Sequence, residues 1–185
     1  MKQTNWTHRI AKDGILLAFL CVVGMFSIPL GDNVKVSLQL YAVILLCFLV
    51  DGFLDAVLVS GCYLLMGLLL PIYAGFNSGI SATFGFVIGF VVASPAYYFL
   101  AKLPLPKVVR LIISGILGTL IVYACGTFFM MFYLNWDLGT TLMVSVVPYL
   151  PFDAVKIALA IVTSLAIPAY LTSQDHSKHG KNPKA

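Results

Sequence analysis

The fold is decided by residues 56–101, AVLVSGCYLLMGLLLPIYAGFNSGISATFGFVIGFVVASPAYYFLA, which contain no Asp, Glu, Lys or Arg. A helix that crosses a bilayer needs about 20 apolar residues. The run is therefore too long for one such helix and long enough for two. Its middle, Pro71-Ile-Tyr-Ala-Gly-Phe-Asn-Ser-Gly79, is rich in turn-forming residues and separates the two helices.

Similar uncharged runs follow one another along the chain. Of the 185 residues, 61% are hydrophobic and 10% are charged, whereas a soluble domain carries about 25% charged residues. The composition predicts an all-α integral membrane protein, with one six-helix domain over residues 1–172 and a polar cytoplasmic tail over 173–185. The six predicted transmembrane helices lie at about 10–30, 36–51, 54–71, 82–101, 108–133 and 152–172.

The distribution of Lys and Arg predicts the orientation of these helices. Basic residues concentrate in the loops that stay in the cytoplasm. With six helices, one side of the membrane carries Lys35 alone, while the other carries Lys2, Arg9, Lys12, Lys102, Lys107, Arg110, Lys178, Lys181 and Lys184. Both termini are therefore expected in the cytoplasm. The protein is expected to be a multi-pass protein of a bacterial-type plasma membrane. The basic character follows from topology and does not indicate binding to nucleic acid.

Three loops are expected to face outward, at residues 31–37, 72–81 and 134–151. They and the adjoining helix ends combine aromatic side chains with amide groups, a mixture typical of small-molecule pockets. A single polar residue at a helix end can also be a simple cap, and an interfacial aromatic can belong to the aromatic belt of the membrane. The candidate binding residues in this region are Gln39, Tyr73, Phe76, Asn77, Trp136 and Tyr149.

Asp153 and Lys156 are the most informative charged residues. Their spacing places them on one face of the last helix, near its outward end. Charged side chains within a membrane helix are costly, and they face a partner or a wet cavity. One interpretation is an ion pair that only stabilises the helix end. The other is a ligand site in which Asp153 accepts hydrogen bonds and Lys156 donates them.

Motifs for an independent chemical activity are missing. The sequence contains no GxxxxGK[ST] nucleotide loop, no HExxH and no GxSxG, and its four cysteines lack metal-ligand spacing. Nothing predicts an enzyme, a bound metal or a cofactor. A small membrane protein with a candidate solute site and no nucleotide site suggests a subunit that obtains its energy from a partner.

Three segments, in order, resemble the BioY family, the biotin-specific substrate-binding (S) components of energy-coupling factor (ECF) transporters. Ile28-Pro29 with Val34-Lys-Val-Ser-Leu-Gln39 is similar to the family's PVPxTLQ. Gly61-Cys-Tyr-Leu-Leu-Met-Gly67 with Leu70-Pro-Ile-Tyr-Ala-Gly-Phe76 resembles YLLLGxxGLPVFAG. Pro148-Tyr-Leu-Pro-Phe-Asp-Ala-Val-Lys156 resembles PFxPxDxxK.

The resemblance implies high-affinity binding and uptake of biotin as the substrate-binding subunit of an ECF-type ABC transporter. It implies that Asp153 and Lys156 lie in the biotin pocket, with Asn77 nearby. It also implies that Gly14 and Ala18 form a patch that meets the transmembrane coupling subunit, which is joined to two ATPases. Ser81-Ala-Thr-Phe-Gly-Phe86 departs from the family's GPTGGY. An S component for another vitamin-like substrate and a structural membrane protein therefore stay as alternatives.

Overall fold

The structure is a computed structural model that describes residues 6–29 and 35–178. Within these residues, seven helices and one two-stranded sheet follow one another along the chain. The elements are α1 (Trp6–Met25), β1 (Ser27–Pro29), β2 (Lys35–Ser37), α2 (Gln39–Leu49), α3 (Phe53–Leu69), α4 (Phe84–Leu100), α5 (Lys107–Leu134), α6 (Leu138–Ser145) and α7 (Leu150–Lys178).

The first connection corrects the prediction of a first helix that reaches residue 30, while the helical fold class is confirmed. Helix α1 ends at Met25, and Ser27–Pro29 pairs antiparallel with Lys35–Ser37, with Ile28 opposite Val36. Pro29 has no backbone N–H and cannot continue a helical hydrogen-bond ladder. The hairpin also moves the start of the second helix from residue 36 to Gln39.

Helix α2 is short but lies at the centre of the bundle. Its 11 residues span about 16 Å, roughly half the hydrocarbon thickness of a bilayer. Val43, Ile44 and Leu46 are completely buried, because α1, α3, α4 and α7 all pack around this helix. Strand β2 directly precedes α2 and lengthens this segment toward the hairpin. Its pairing with β1 provides hydrogen bonds for the backbone polar groups that would be satisfied within a longer helix.

Helices α4 and α5 form the most extensive helix pair, and glycine makes their close approach possible. A methyl group on Gly85 would overlap the Phe129 side chain, and one on Gly118 would overlap the Tyr97 ring. The small-residue series Gly85, Gly89 and Ala93 therefore serves packing inside the bundle, as small residues do between membrane helices.

The segment 138–152 corrects a second prediction, that of a partly buried loop. Residues Leu138–Ser145 form α6, which packs against α5 and buries Thr141 and Ser145. Asp137 caps this helix by accepting from the Thr140 backbone N–H at 2.9 Å. Helix α7 then begins at Leu150 and continues to Lys178, six residues beyond the predicted end at 172; residues 179–185 of the predicted tail lie outside the described part.

One end of the bundle carries most of the described basic side chains. We call it the basic end and define it by Arg9, Lys12, Lys102, Lys107 and Arg110, of which two form ion pairs. Arg9 on α1 pairs with Asp55 at the start of α3 at 2.7 Å. Lys12 pairs with Asp51 at 2.9 Å. These contacts fix α1 against the turn between α2 and α3. We call the other end, with the β-hairpin, the hairpin end.

The exterior of the bundle is apolar over wide areas, as expected for a surface that faces lipid. Leu69, Phe132 and Ile15 are among many large apolar side chains that are more than half exposed. In the described residues, α5 and the Leu150–Ile167 part of α7 are long and apolar enough to cross a membrane, while α2, α3 and α4 are shorter apolar helices.

Candidate functional site

The Asp153–Lys156 pair is buried inside the bundle. Each residue is 6% exposed, and Lys156 Nζ donates to Asp153 Oδ1 at 2.5 Å. Asp153 lies in the first turn of α7, where the helix dipole favours a negative charge. The predicted spacing thus produces a direct ion pair, and its low exposure distinguishes it from a surface salt bridge, which contributes little.

Tyr123 of α5 is the third member of this site. Its hydroxyl donates to Asp153 Oδ2 at 2.5 Å, so both carboxylate oxygens are engaged. Tyr123 was not among the residues predicted from the sequence. The signal was present, because Thr119, Tyr123 and Thr127 recur every four residues and all three are buried on one face of α5. Polar residues at this spacing within an apolar helix mark a polar face turned toward the protein interior.

Two buried hydroxyl groups lie on the elements around this pair. Thr127 is one helical turn beyond Tyr123 on α5, toward the hairpin end, and Ser145 is on the buried face of α6. Neither Thr127 Oγ1 nor Ser145 Oγ has a hydrogen-bond partner in the described part of the protein. A buried polar group without a partner is costly. These two hydroxyls are therefore candidates for contacts to a polar ligand.

The chain reversal after α5 sets the start of α7 beside Tyr123. Asn135 has a left-handed backbone, φ 53°, which is a common way to end a helix. Asp137 then caps α6, and its hydrogen bonds from the Thr140 side chain and backbone hold the pKa of Asp137 below its usual value. Helix α6 folds back against α5. As a result, the first turn of α7 does not lie at the end of α5 but beside Tyr123, where Asp153 accepts the tyrosine hydroxyl.

A second polar cluster lies at the hairpin end. Gln39 is 6% exposed and donates from Nε2 to the Tyr63 hydroxyl at 2.6 Å, and Tyr63 donates to the Ile72 carbonyl at 3.0 Å. Tyr73 is also buried, and its hydroxyl donates to the Leu64 carbonyl at 2.6 Å. Gln39 and Tyr73, both predicted ligand contacts, therefore hold the 71–79 loop on α2 and α3.

The other predicted residues lie nearer the surface of the hairpin end. Asn77 is exposed, donates to the Ala74 carbonyl at 2.8 Å and pairs through its backbone with Tyr73. Phe76 is 61% exposed and Trp136 is 40% exposed, while Tyr149 is half-buried in the turn before α7. The structure thus brings Asp153 and Lys156 together, gathers Gln39 with Tyr73, and leaves Phe76, Asn77 and Trp136 open to a ligand or to solvent.

This arrangement offers charged groups that can bind a polar solute. Asp153 offers a carboxylate and Lys156 an ammonium group in an interior position, where electrostatic interactions are stronger than in water. Across residues 6–29 and 35–178, no group of three or more His, Cys, Asp or Glu side chains has the geometry to hold a metal ion.

The exposed small residues of α1 form a separate surface at the basic half of the bundle. Gly14 and Ala18 are exposed, and a methyl group added to Gly14 would meet no atom within 4 Å. The neighbouring Ile15 and Val22 are 70% and 55% exposed. This face of α1 takes no part in packing within the described chain, in contrast to the glycines of α4.

Comparisons with known proteins agree with this architecture. The chain is 30% identical over 165 residues to the biotin transporter BioY of Thermotoga maritima, covering 86% of this chain and 95% of the relative. It is 28% identical to the probable biotin transporter BioY of Pyrococcus horikoshii, covering 80% and 88% of the two chains. It is 29% identical to the biotin transporter BioY2 of Lactococcus lactis subsp. cremoris, covering 81% and 84%.

A solved structure has the same fold. The crystal structure at 2.1 Å of the S-component for biotin from an ECF-type ABC transporter aligns with a TM-score of 0.79 over 91% of this chain and 95% of that one. The sequences are 24% identical, so the likeness establishes the fold. A helical bundle of this fold with an apolar exterior defines a helical membrane protein. The chain belongs to the BioY family, whose model matches residues 1–173.

Proposed function

We propose that the protein captures biotin and delivers it across the membrane as the substrate-binding subunit of an ECF-type ABC transporter. The observation that carries this proposal is the buried ion pair of Asp153 and Lys156, held by Tyr123 near the hairpin end. The choice of ligand is supported by the names of three relatives, two biotin transporters and one probable biotin transporter. It is also supported by a biotin S-component of the same fold.

Six segments are proposed to cross the membrane, namely α1, α2 together with strand β2, α3, α4, α5 and α7, with α6 lying at the hairpin end. The positive-inside rule then places the basic end and both termini in the cytoplasm and the hairpin end outside. The ion pairs of Arg9 and Lys12 with Asp55 and Asp51 suit this placement, since they lie at the membrane surface where water reaches them. In this orientation Asp153, in the first turn of α7, lies toward the outer side of the membrane.

The chemistry of biotin matches the groups at the site. Its ureido ring has two N–H donors and one carbonyl acceptor, and its tail ends in a carboxylate. Asp153 accepts from the ureido N–H groups, while Lys156 donates to the ureido oxygen or to the tail. The free hydroxyls of Thr127 and Ser145 add short-range hydrogen bonds. Aromatic side chains at the hairpin end, among them Tyr73, Phe76, Trp136 and Tyr149, pack against the ligand or close the entrance to it.

A direct binding experiment tests this proposal. Purified protein in detergent is expected to bind labelled biotin saturably, and excess unlabelled biotin, but not thiamine or riboflavin, should displace the label. Asp153→Asn should weaken binding by roughly 100-fold, since a charged hydrogen-bond acceptor contributes about 1.5–3 kcal/mol. Well-folded protein that binds a different vitamin would contradict the biotin assignment. Protein that binds none of them would favour a structural role.

Energy for uptake is proposed to come from partners, because the sequence contains no GxxxxGK[ST] nucleotide loop. The exposed face of α1 with Gly14 and Ala18 is the proposed contact to the transmembrane coupling subunit, which carries two ATPases. Small residues on this face allow another helix to approach closely, and the open space around Gly14 is available for that helix.

Ala18→Trp tests the proposed contact. The variant should fold and bind biotin like the wild type, because Ala18 is exposed. It should lower ATP-dependent biotin uptake about tenfold or more, because a misfitting bulky side chain in a close interface costs roughly 1–3 kcal/mol. Val162→Trp, at a 63% exposed position of α7, is the matched control and should leave uptake unchanged. Normal uptake by Ala18→Trp would place the contact elsewhere.

A further inference from the structure

A small cavity opens at the basic end of the bundle. Its volume is about 90 Å³, well below the roughly 300–1,000 Å³ of pockets for drug-sized ligands. Its inner wall is formed by Cys47, Phe48, Ala101, Leu111 and Ser164, and its basic side chains are Lys102, Lys107 and Arg110. The cavity therefore joins the end of α2, the turn between α4 and α5, and the middle of α7.

The charge around this cavity is unbalanced. Elsewhere at the same end, Arg9 and Lys12 are neutralised by Asp55 and Asp51. By contrast, Lys102, Lys107 and Arg110 form no salt bridge with a carboxylate of residues 6–28 or 36–167. Arg110 Nε is buried and has no hydrogen-bond partner among the described protein groups. A buried charged donor of this kind favours an anionic acceptor.

The start of α5 adds to the same preference. Helix α5 begins at Lys107, directly after Pro106, with no side-chain cap and no acidic residue in its first turn. The first backbone hydrogen bond of the helix runs from the Arg110 N–H to the Pro106 carbonyl. The N–H groups of the three preceding residues therefore have no acceptor within the helix. Together with the basic side chains, these N–H groups form a site suited to a phosphate group.

The surroundings of the cavity indicate the source of the phosphate. Apolar side chains that are 40–48% exposed flank it on the α4–α5 turn and on α5, namely Leu105, Val108, Val109 and Ile112. A phosphate with attached acyl chains satisfies both surfaces, whereas free phosphate satisfies only the basic one. We propose that this cavity binds the phosphate group of an acidic phospholipid, in the inner leaflet according to the orientation proposed above. This site is separate from the proposed biotin site.

Native mass spectrometry of the full-length protein in detergent tests this inference. Wild-type protein is expected to retain one phosphatidylglycerol more tightly than phosphatidylcholine. The variant Lys107→Gln/Arg110→Gln should weaken phosphatidylglycerol binding by about 25-fold, because each basic residue near an anionic headgroup contributes about fivefold. Lys12→Gln, which removes a paired charge at the same end, is the matched control and should leave the affinity within about twofold of the wild type.

A single variant and competition with inorganic phosphate complete the test. Lys107→Gln alone, at an exposed position, should still weaken binding about fivefold and serves if the double variant fails to fold. Equal phosphatidylglycerol affinity in the wild type and in folded Lys107→Gln would overturn the inference, as would equal affinity for phosphatidylcholine. Displacement of the bound lipid by low-millimolar inorganic phosphate would show that the site selects free phosphate, and would also overturn the lipid assignment.

Discussion

Lys156→Met is expected to weaken biotin capture strongly and to destabilise the folded protein. The substitution removes the ammonium group but keeps a side chain of similar length, so it creates little empty space. It leaves the 6% exposed Asp153 carboxylate with Tyr123 as its hydrogen-bond donor. Breaking a buried ion pair in this way costs about 3–5 kcal/mol. Biotin affinity should fall by roughly 10- to 100-fold, because a charged donor to the ligand is lost and such a donor contributes about 1.5–3 kcal/mol.

The double variant Asp153→Asn/Lys156→Met separates the structural contribution of the pair from its contribution to binding. Since no uncompensated charge is left, its melting temperature in detergent should recover most of the loss seen in Lys156→Met, while biotin binding should stay at least as weak as in that variant. Lys12→Met is the matched control, because it breaks the partly exposed pair with Asp51 and should cost less than about 1 kcal/mol. A double variant that binds biotin normally would show that the pair only stabilises α7.

The core of this site was predictable because a charge in a membrane helix is costly. Asp153 and Lys156 stand out from the sequence for that reason, and their i, i+3 spacing already places them together. Tyr123 is a different case, since the spacing of Thr119, Tyr123 and Thr127 marks a polar face of α5 but does not show which of its residues meets Asp153, 30 residues away from Tyr123. Which residue of α5 faces Asp153 depends on how far α6 folds back against α5. That distance is a property of tertiary packing and has no local sequence signal.

The fold shows the same division between local and long-range information. The uncharged runs in the sequence predicted the long helices to within a few residues of their observed bounds. The larger differences lie where a connection contains polar residues or proline. Residues 27–29 are apolar enough to extend α1, but their pairing with 35–37 turns them into a strand. Helix α6 was missed because Pro148 and Pro151 suggested a loop, although the Asp137 cap with Thr140 is a recognisable helix start.

The contact between Gly67 and Tyr73 links packing at the hairpin end to the proposed binding loop. A methyl group on Gly67 would overlap the ring of Tyr73. That ring has little freedom to move, because its hydroxyl donates to the Leu64 carbonyl at 2.6 Å and the ring packs against Tyr63 and Phe84. The loop is also attached to α3 directly, since the Gly79 N–H donates to the Gly67 carbonyl at 2.9 Å.

Gly67→Ala is therefore expected to destabilise the protein by about 1–3 kcal/mol, the usual cost of overpacking a filled core, and to weaken biotin binding by displacing the 71–79 loop. Gly61→Ala is the matched control in the same helix. Its added methyl group meets no atom within 4 Å, so it should stabilise α3 by about 0.5–1 kcal/mol. Melting temperature and biotin affinity, measured on both variants, check the two effects separately. If Gly67→Ala lost stability but kept full affinity, the position of Tyr73 would not matter for the ligand, and the site would centre on Asp153 and Lys156 alone.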